Sequence, residues 1–343
     1  MGKPQAQPEI PSAQPLWALH EPRWSLPVLR AALELQIWAK LRQPKTAQEL
    51  AEEEGWDAEG IRRLLDVLVA YELLAKEANR YCLVSIAETY LLPDKPTYMG
   101  EGLLVDMDWE GKGRLAQALQ RGQQPIANYW ASHQVARAYV GLSAPTRANP
   151  SLGTTFYEKR WRDLAVETGE GTHVLDIACG NARTTLALAQ MHPGVRLTLL
   201  DWPEVLENAL AIAQALGVGN QIEQWPGDLH AIDWGENGFD VIWIGSILHF
   251  FSPSVIVSLL RRARRALRAG GLLLVEEVTI DEEHIRPRHW LEASLWLWAT
   301  SSEGRVYTIS EYTEFLRQAG FPQSNVLGPG EEMEPILSAR KEE

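Results

Sequence analysis

The chain has 343 residues, of which 45% are hydrophobic and 22% charged, and this predicts a globular protein of more than one domain. Its formal net charge of −13 argues against a broad nucleic-acid or anionic-membrane surface. Its two cysteines, Cys82 and Cys179, give no disulfide framework, and no apolar run approaches the ~18 residues of a spanning helix. We therefore expect a cytoplasmic protein without a membrane or nucleic-acid partner.

Residues 1–22 are rich in proline and are expected to form a flexible tail. Residues 23–105 then show helical periodicity followed by a short extended segment. Thr46 and Glu49 form a capping box, and an amphipathic stripe runs from Ile61 to Val69. Arg80–Val84 is interpreted as a β-wing, so these residues predict a mainly α winged-helix domain.

Winged helices often bind DNA, so DNA binding and dimerisation are the two alternative functions of this domain. The helix at the recognition position, residues 58–71, carries Arg62 and Arg63 but also Glu59 and Asp66, and Glu72 follows it directly. Phosphate neutralisation by basic residues supplies most of the affinity of a DNA reader. The absence of a basic footprint favours a dimerisation domain, with a ligand-responsive regulator as the less favoured alternative.

Residues 106–164 are interpreted as a helical connector. It includes a helical segment at 115–119, a loop over Ala144–Pro150 and a further element from Thr154 to Ala165. Phe156 and Tyr157 in this element are candidates for stacking near a ligand. Packing of the connector onto the next domain is an equal alternative.

Residues 165–343 alternate between apolar strands and helices, which predicts an α/β domain with a doubly wound, Rossmann-like parallel sheet. A helix over 254–268 is expected to end at Gly270–Gly271. The apolar runs predict five strands, at residues 174–177, 196–200, 221–224, 239–245 and 272–275.

The stretch from His173 to Asp201 is the centre of this domain. It predicts strand, turn, helix and strand, with the turn pattern D-x-A-x-G-x-A starting at Asp176. Such a unit places a ligand at the carboxyl ends of its strands. The three glycines of the dinucleotide fingerprint are missing, since only Gly180 is present. Asp201, at the end of the second strand, is positioned to accept hydrogen bonds from ribose hydroxyls.

Four further segments occur in the order and spacing of one family. They are D-x-P-x-V-x-E-x-A at 201–209, Gly227–Asp228, Ile247–His249 and Ala266–Gly271. With the winged-helix domain, the chain resembles the dimeric class I S-adenosylmethionine-dependent O-methyltransferases, which include plant caffeate, hydroxyindole and bacterial natural-product enzymes. The resemblance implies S-adenosylmethionine as cofactor, a homodimer and a small aromatic or polycyclic acceptor.

The resemblance also implies roles for individual residues. The turn around Asp176 and Gly180 would hold the methionine part of the cofactor, and Asp201 would bind its ribose. Trp202 would lie against the adenine. Asp228 would accept from the adenine amino group, and Leu229 would pack on the ring.

His249 matches the general base of the family, because a neutral imidazole can take a phenol proton near neutral pH. Two positions differ from the family. Phe250 follows the histidine where aspartate is usual, and Val306 stands where a glutamate often orients the ring. We therefore predict a base without its orienting carboxylate, or an acceptor that needs no base.

Trp290, Ser294 and Trp298 lie in the segment that covers the acceptor in the family, with core packing as an even alternative. No metal-ligand spacing is present, so no metal is expected. Methylation of carbon or nitrogen, and S-adenosylmethionine binding with other chemistry, remain open alternatives.

Overall fold

The computed structural model describes residues 24–107, 109–122, 133–151, 153–164, 166, 168–301, 303–327 and 334–342. The expected tail at residues 1–22 lies outside these ranges. The chain divides at Gly100 into two compact units. Each unit is described separately below.

The first unit is mainly helical and carries the predicted wing. Its elements are α1 Ser25–Glu34, α2 Ile37–Lys40, α3 Ala47–Glu54, α4 Ala58–Ala70, β1 Ala75–Glu77, β2 Arg80–Cys82 and α5 Ser85–Tyr90. Strands β1 and β2 form an antiparallel hairpin. The winged-helix prediction is therefore confirmed in its elements.

Local sequence determines where the helices of the first unit begin and end. Thr46 and Glu49 make the predicted capping box of α3, and Gly55 ends that helix in a left-handed conformation. Asp57 caps α4 by accepting a hydrogen bond from the Gly60 N–H. On the exposed side of α4, Arg62 pairs with Glu59 and Asp66, so its charge is offset within the helix.

The second unit opens with a set of helices. They are α6 Gly100–Met107, α7 Trp109–Gly113, α8 Leu115–Arg121, α9 His133–Leu142, α10 Ala144–Ala148 and α11 Thr154–Leu164. The expected loop over Ala144–Pro150 is wrong, because its first five residues form α10. Pro145 lies in the first turn of this helix, where its missing N–H costs no hydrogen bond.

The α/β part of the second unit is built on a seven-stranded sheet with the order β10-β11-β7-β6-β3-β4-β5. Its strands are β3 His173–Ile177, β4 Arg196–Asp201, β5 Ile222–Pro226, β6 Phe239–Gly245, β7 Leu267–Glu276, β10 Ser324–Leu327 and β11 Ile336–Arg340. Neighbours from β7 to β5 are parallel, and β10 and β11 are antiparallel at one edge.

Helices cover both faces of this sheet. They are α12 Arg183–Met191, α13 Pro203–Ala215, α14 Pro253–Ala266 and α16 Ile309–Gln318. A further helix, α15 Arg288–Thr300, packs in a separate apolar cluster that contains Val306. One buried cluster joins α14 and α16 to the sheet, and another joins α12 and α13 to its opposite face. The strands are apolar on both sides because both sides are covered.

The structure corrects the predicted boundary between α14 and β7. The helix that was expected to reach Arg268 ends at Ala266, and the strand begins at once with Leu267. Gly270 and Gly271 therefore lie within the strand, where both bond to Lys341 in the segment after β11. Strands β10 and β11 were not predicted at all.

The second unit also has a small sheet, in which β8 Thr279–Ile280 pairs in parallel with β9 Tyr307–Thr308. In the sequence, β8 precedes α15 and β9 follows it. Among the described residues, no helix combines the length and the apolar character that crossing a membrane requires.

Candidate active site

The turn after β3 has the backbone of a glycine-rich loop with little glycine in it. Ala178, Gly180 and Ala182 all have left-handed conformations, with φ of 53°, 59° and 52°. Alanine in this region costs roughly 1–2 kcal/mol more than glycine. The alternating small residues of D-x-A-x-G-x-A are thus the positions at which the chain turns sharply.

Asp176, the fourth residue of β3, is 3% exposed and lies under this turn. Its Oδ2 atom accepts a hydrogen bond from the Thr185 hydroxyl at 2.5 Å. Burial raises the pKa of the Asp176 carboxyl to about 7, and the carboxylates of Asp201 and Glu276 add to the effect. Asp176 therefore ties the strand to the first turn of α12.

Asp201 ends β4 beside the same turn. Its Oδ2 accepts from the Gly180 N–H at 2.9 Å, and its Oδ1 accepts from the Trp202 N–H at 2.7 Å. Burial raises the pKa of Asp201 to about 6, against the effect of these two hydrogen bonds. An ionised carboxylate has about four acceptor positions, so it can also accept from a ligand. Trp202 precedes α13 and is half-buried.

Asp228 follows β5 and is joined to Asp201 through the backbone, because the Gly227 N–H donates to the Asp201 carbonyl at 2.9 Å. The Asp228 carboxylate accepts from the His230 N–H at 2.8 Å. Leu229 packs partly buried against the core, and its carbonyl accepts from Arg262 at 2.8 Å. The two predicted acids, Asp201 and Asp228, therefore lie at the carboxyl ends of neighbouring strands, along the same edge of the sheet.

Tyr139 on α9 is a residue of this edge that sequence reasoning missed. Its hydroxyl accepts a hydrogen bond from the Asn181 N–H at 3.1 Å. A Cβ atom placed on Gly180 would come within 2.5 Å of that hydroxyl. No periodic pattern signals this contact, since Tyr139 lies 41 positions before Gly180 in a helix of mixed composition.

His249 lies in a short 3₁₀ turn after β6, with a side chain that is 12% exposed. Its Nδ1 atom is 2.8 Å from Oε2 of Glu277, the residue that follows β7 and that has no exposed surface. The other oxygen, Oε1, accepts from the Ile247 N–H at 2.6 Å and from the Leu248 N–H. Glu277 thus holds both the ring and the backbone before it.

This contact corrects the prediction that the histidine lacks an orienting carboxylate. Val306, at the position where a glutamate was considered, is 3% exposed and packs in an apolar cluster with Val278, Ile280 and Leu297. Glu277 supplies the carboxylate from a different strand. Phe250 lies beside the imidazole, with ring centroids 4.3 Å apart.

The predicted acceptor residues occupy different environments. Trp290 packs partly buried against the cluster that contains Val306. Ser294 accepts a hydrogen bond from the Val306 N–H at 3.1 Å, and Trp298 is half-buried on the same helix, α15. On α11, Phe156 is 45% exposed and contacts Tyr157 edge to face at 5.1 Å.

The segment from Gly304 to Val306 joins α15 to the histidine. The Arg305 N–H donates to the His249 carbonyl at 2.9 Å, and the Val306 N–H donates to the Ser294 hydroxyl.

Over the described ranges, no group of three or more metal-binding side chains occurs together.

Comparison with known families agrees with this arrangement. The O-methyltransferase domain family matches residues 166–322, and the O-methyltransferase dimerisation domain matches residues 23–93. The tetracenomycin polyketide synthesis 8-O-methyltransferase of Streptomyces glaucescens is 30% identical over 308 residues, which are 85% of this chain and 86% of that protein. The chain belongs to the class I S-adenosylmethionine-dependent O-methyltransferase family. The predicted fold class, enzyme class and cofactor are confirmed by this membership.

Two other members of the O-methyltransferase family illustrate the range of similarity. The 3-hydroxy-5-methyl-1-naphthoate 3-O-methyltransferase of Streptomyces sahachiroi is 26% identical over 87% of this chain and 86% of its own length. An O-methyltransferase family structure from Burkholderia thailandensis superposes with a TM-score of 0.74 at 19% identity, covering 97% of this chain and 99% of that one. The latter similarity shows the fold.

The described residues fit the cofactor of the O-methyltransferase family. Gly180 has no Cβ atom, so the Tyr139 hydroxyl can approach its backbone, and Asp201 has acceptor capacity beyond its two backbone donors. Of the three left-handed residues, Gly180 directs its N–H to the Asp201 carboxylate, whereas the Ala182 N–H donates to the Cys179 carbonyl within the turn.

Proposed function

We propose that this enzyme transfers the methyl group of S-adenosylmethionine to a hydroxyl of a small aromatic or polycyclic acceptor, with His249 as general base. The contact between His249 and Glu277 supports this most directly. An acceptor hydroxyl becomes a good nucleophile only when its proton is taken, and a positioned imidazole is the usual group for that task.

The geometry around His249 favours Nε2 as the nitrogen that would take the proton. An ionised carboxylate can only accept hydrogen bonds, so the Nδ1 atom facing Glu277 carries a hydrogen. Nε2 is then the atom with a free lone pair. S-adenosylmethionine, when bound, supplies an electrophilic methyl group on a positively charged sulfur. The protein's part is to hold the acceptor oxygen near Nε2 and to hold the imidazolium that forms.

The residues proposed to hold the cofactor lie along one edge of the sheet. Asp201 would accept from the ribose hydroxyls, with Trp202 and Leu229 against the adenine and Asp228 accepting from its amino group. Gly180 would admit the methionine part. Asp176 would act from beneath, by holding the turn through Thr185.

The acceptor is proposed to lie near Trp290, Ser294 and Trp298 of α15 and near Phe156 and Tyr157 of α11. Aromatic side chains favour flat apolar rings through area burial and ring contacts. The two Streptomyces relatives are named for a tetracenomycin polyketide and a hydroxynaphthoate, which are acceptors of this kind.

We further propose that the enzyme is a homodimer formed mainly through its winged-helix domain, residues 23–105. The match of the dimerisation domain to residues 23–93 supports this. Light scattering at micromolar concentration should give twice the mass of the chain, and a monomer would contradict the proposal.

An acceptor screen with methyl-labelled S-adenosylmethionine tests the proposed reaction. The panel contains hydroxylated polycyclic polyketides, hydroxynaphthoates, N-acetylserotonin and tetrapyrroles, each run with wild type and with His249→Ala. We expect label in an aromatic methoxy group with wild type only. Label on carbon or nitrogen would assign a different acceptor atom. Tight cofactor binding without transfer to any panel member would favour non-methylating chemistry.

A further inference from the structure

Arg160 forms a buried ion pair that the proposed reaction does not use. It lies on α11 with 4% of its side chain exposed, and its Nη2 atom pairs with the carboxylate of Glu276, which is 12% exposed. The same nitrogen donates to the Glu334 carbonyl at 3.2 Å. Buried ion pairs add little net stability, because desolvation offsets their attraction, so stability alone is a weak reason for this one.

Glu276 is joined through its own backbone to the loop that carries His249. It is the last residue of β7 and directly precedes Glu277. Its carbonyl accepts from the Ser246 N–H at 2.8 Å, and Ser246 begins the loop that carries His249. Side chains alternate along a strand, so Glu276 and Glu277 point to opposite faces of the sheet. Arg160 therefore holds one face of the strand end, and His249 lies on the other.

The charges around Glu276 show why a cation is needed there. The pKa of the Glu276 carboxyl is raised to about 7, mainly by burial and also by the carboxylates of Glu334 and Glu277, while Arg160 opposes these effects. Without Arg160, a carboxylate at this position would be buried beside two others and without a partner. Such a group moves toward solvent or takes up a proton.

We propose that Arg160 is a positioning residue: by holding Glu276, it fixes the end of β7 so that Glu277 meets His249 in the geometry of proton transfer. The proposal rests on the proposed role of His249. It assigns to α11, a helix outside the sheet, a part in the alignment of the base.

The test compares Glu276→Ala with Glu276→Gln in the full-length protein. Glutamine keeps an oxygen for Arg160, whereas alanine removes the anchor. Glu158→Ala is the matched control, because it breaks the exposed pair between Glu158 and Arg162 on the same helix. The first readout is the NMR signal of the His249 Nδ1 proton in ¹⁵N-histidine-labelled protein without cofactor, assigned by its absence in His249→Ala.

We expect a downfield, slowly exchanging Nδ1 proton in wild type, Glu276→Gln and Glu158→Ala, and its loss by exchange in Glu276→Ala. With the best acceptor from the screen, kcat of Glu276→Ala should fall by up to about 100-fold, the effect of a misplacement of about 1 Å. Calorimetry should show S-adenosylmethionine affinity within about threefold of wild type, since the change affects alignment and not binding.

Three results would overturn the proposal: a wild-type Nδ1 signal and kcat in folded Glu276→Ala, equal losses in the alanine and glutamine variants, or a fall in cofactor affinity that matches the fall in kcat. If Glu276→Ala does not fold, Arg160→Lys replaces it. Lysine keeps the charge but loses the planar fork, so a smaller loss in both readouts is expected, and wild-type values would again contradict the proposal. The NMR signal needs no methyl transfer, so its outcome is independent of whether the proposed reaction is right.

Discussion

The Nδ1 atom of His249 lies 2.8 Å from Oε2 of Glu277, and the other carboxylate oxygen of Glu277 accepts from two backbone N–H groups of the loop that carries the histidine. Three hydrogen bonds accepted by one fully buried carboxylate thus fix the ring and its backbone together. The orientation of the imidazole is therefore set before any ligand binds.

Removal of the proposed base gives the first prediction. His249→Ala should lower kcat by about 10²- to 10⁴-fold, the usual contribution of a positioned base. The affinity for S-adenosylmethionine, measured by calorimetry, should be unchanged because the residues proposed to bind the cofactor lie at the ends of other strands. Full activity in this variant would mean that the acceptor is already ionised or is attacked through carbon or nitrogen.

Glu277→Gln should give a loss of similar size without unfolding the protein. The amide oxygen can still accept from the Ile247 and Leu248 N–H groups, but its NH₂ group would face the Nδ1–H donor. The ring would then rotate or change tautomer, and kcat should fall by about 10²-fold or more. Steady-state kinetics and a melting curve on the same sample separate this effect from instability; a kcat equal to wild type would show that Glu277 does not control the tautomer.

Cofactor affinity should depend on pH through Asp201. Its pKa of about 6 in the folded protein means that the carboxylate is largely protonated at pH 5 and ionised at pH 7. Only the ionised form offers its full acceptor capacity to two ribose hydroxyls, so affinity should rise by up to about tenfold over this range. Asp201→Asn should bind more weakly by about 1–3 kcal/mol and show a flatter pH dependence in calorimetric titrations. A parallel pH dependence in the variant would assign the proton to another group.

The stability of the ligand-free protein should fall as pH rises. The pKa of Asp176 is raised from 3.8 to about 7, so the folded state binds more protons than the unfolded state between these values. The free energy of unfolding therefore decreases from about pH 4 to about pH 7. Asp176→Asn keeps an acceptor for Thr185 and should reduce this decrease, as measured by Tm at pH 5 and pH 8. An unchanged difference in Tm would show that Asp176 is not the group that takes up the proton.

Val306→Glu should destabilise the protein and should not increase its rate. Val306 is buried among apolar side chains, where a new carboxylate has no partner, and Glu277 already provides the orienting group. We expect a Tm lower by several degrees, with Val306→Ala as the control for lost packing volume. A faster reaction in a folded Val306→Glu enzyme would show that a second carboxylate helps the base.

Much of the fold could be predicted because local and periodic signals agree with it. The capping box at Thr46, the apolar stripe of α4 and the strand from Phe239 to Gly245 each follow from residue spacing alone. The end of α14 could not be placed, since Leu267 and Arg268 continue its composition into β7. Strands β10 and β11 are short, and β7, the partner through which β11 joins the sheet, lies far away in the sequence.

The site was predictable where function follows from a short motif and not where it depends on tertiary contacts. Asp176, Gly180 and Asp201 come together because one βαβ unit carries all three. Glu277 is 28 residues from His249, and no short motif links the two positions. In the turn, Ala178 and Ala182 have the left-handed backbone conformation that usually requires glycine, so a search for glycines would not find these positions.

Strand β11 has a consequence for the way the enzyme is made. Among the described residues it is the last strand in sequence, yet it lies inside the sheet between β10 and β7, the strand that leads to Glu277. The Glu277 N–H also donates to the Pro335 carbonyl just before β11. During synthesis on the ribosome, β7 therefore keeps an unpaired edge until β11 has emerged, and such edges are sites of aggregation. The carboxylate that holds His249 gains these neighbours only after β11 has been synthesised.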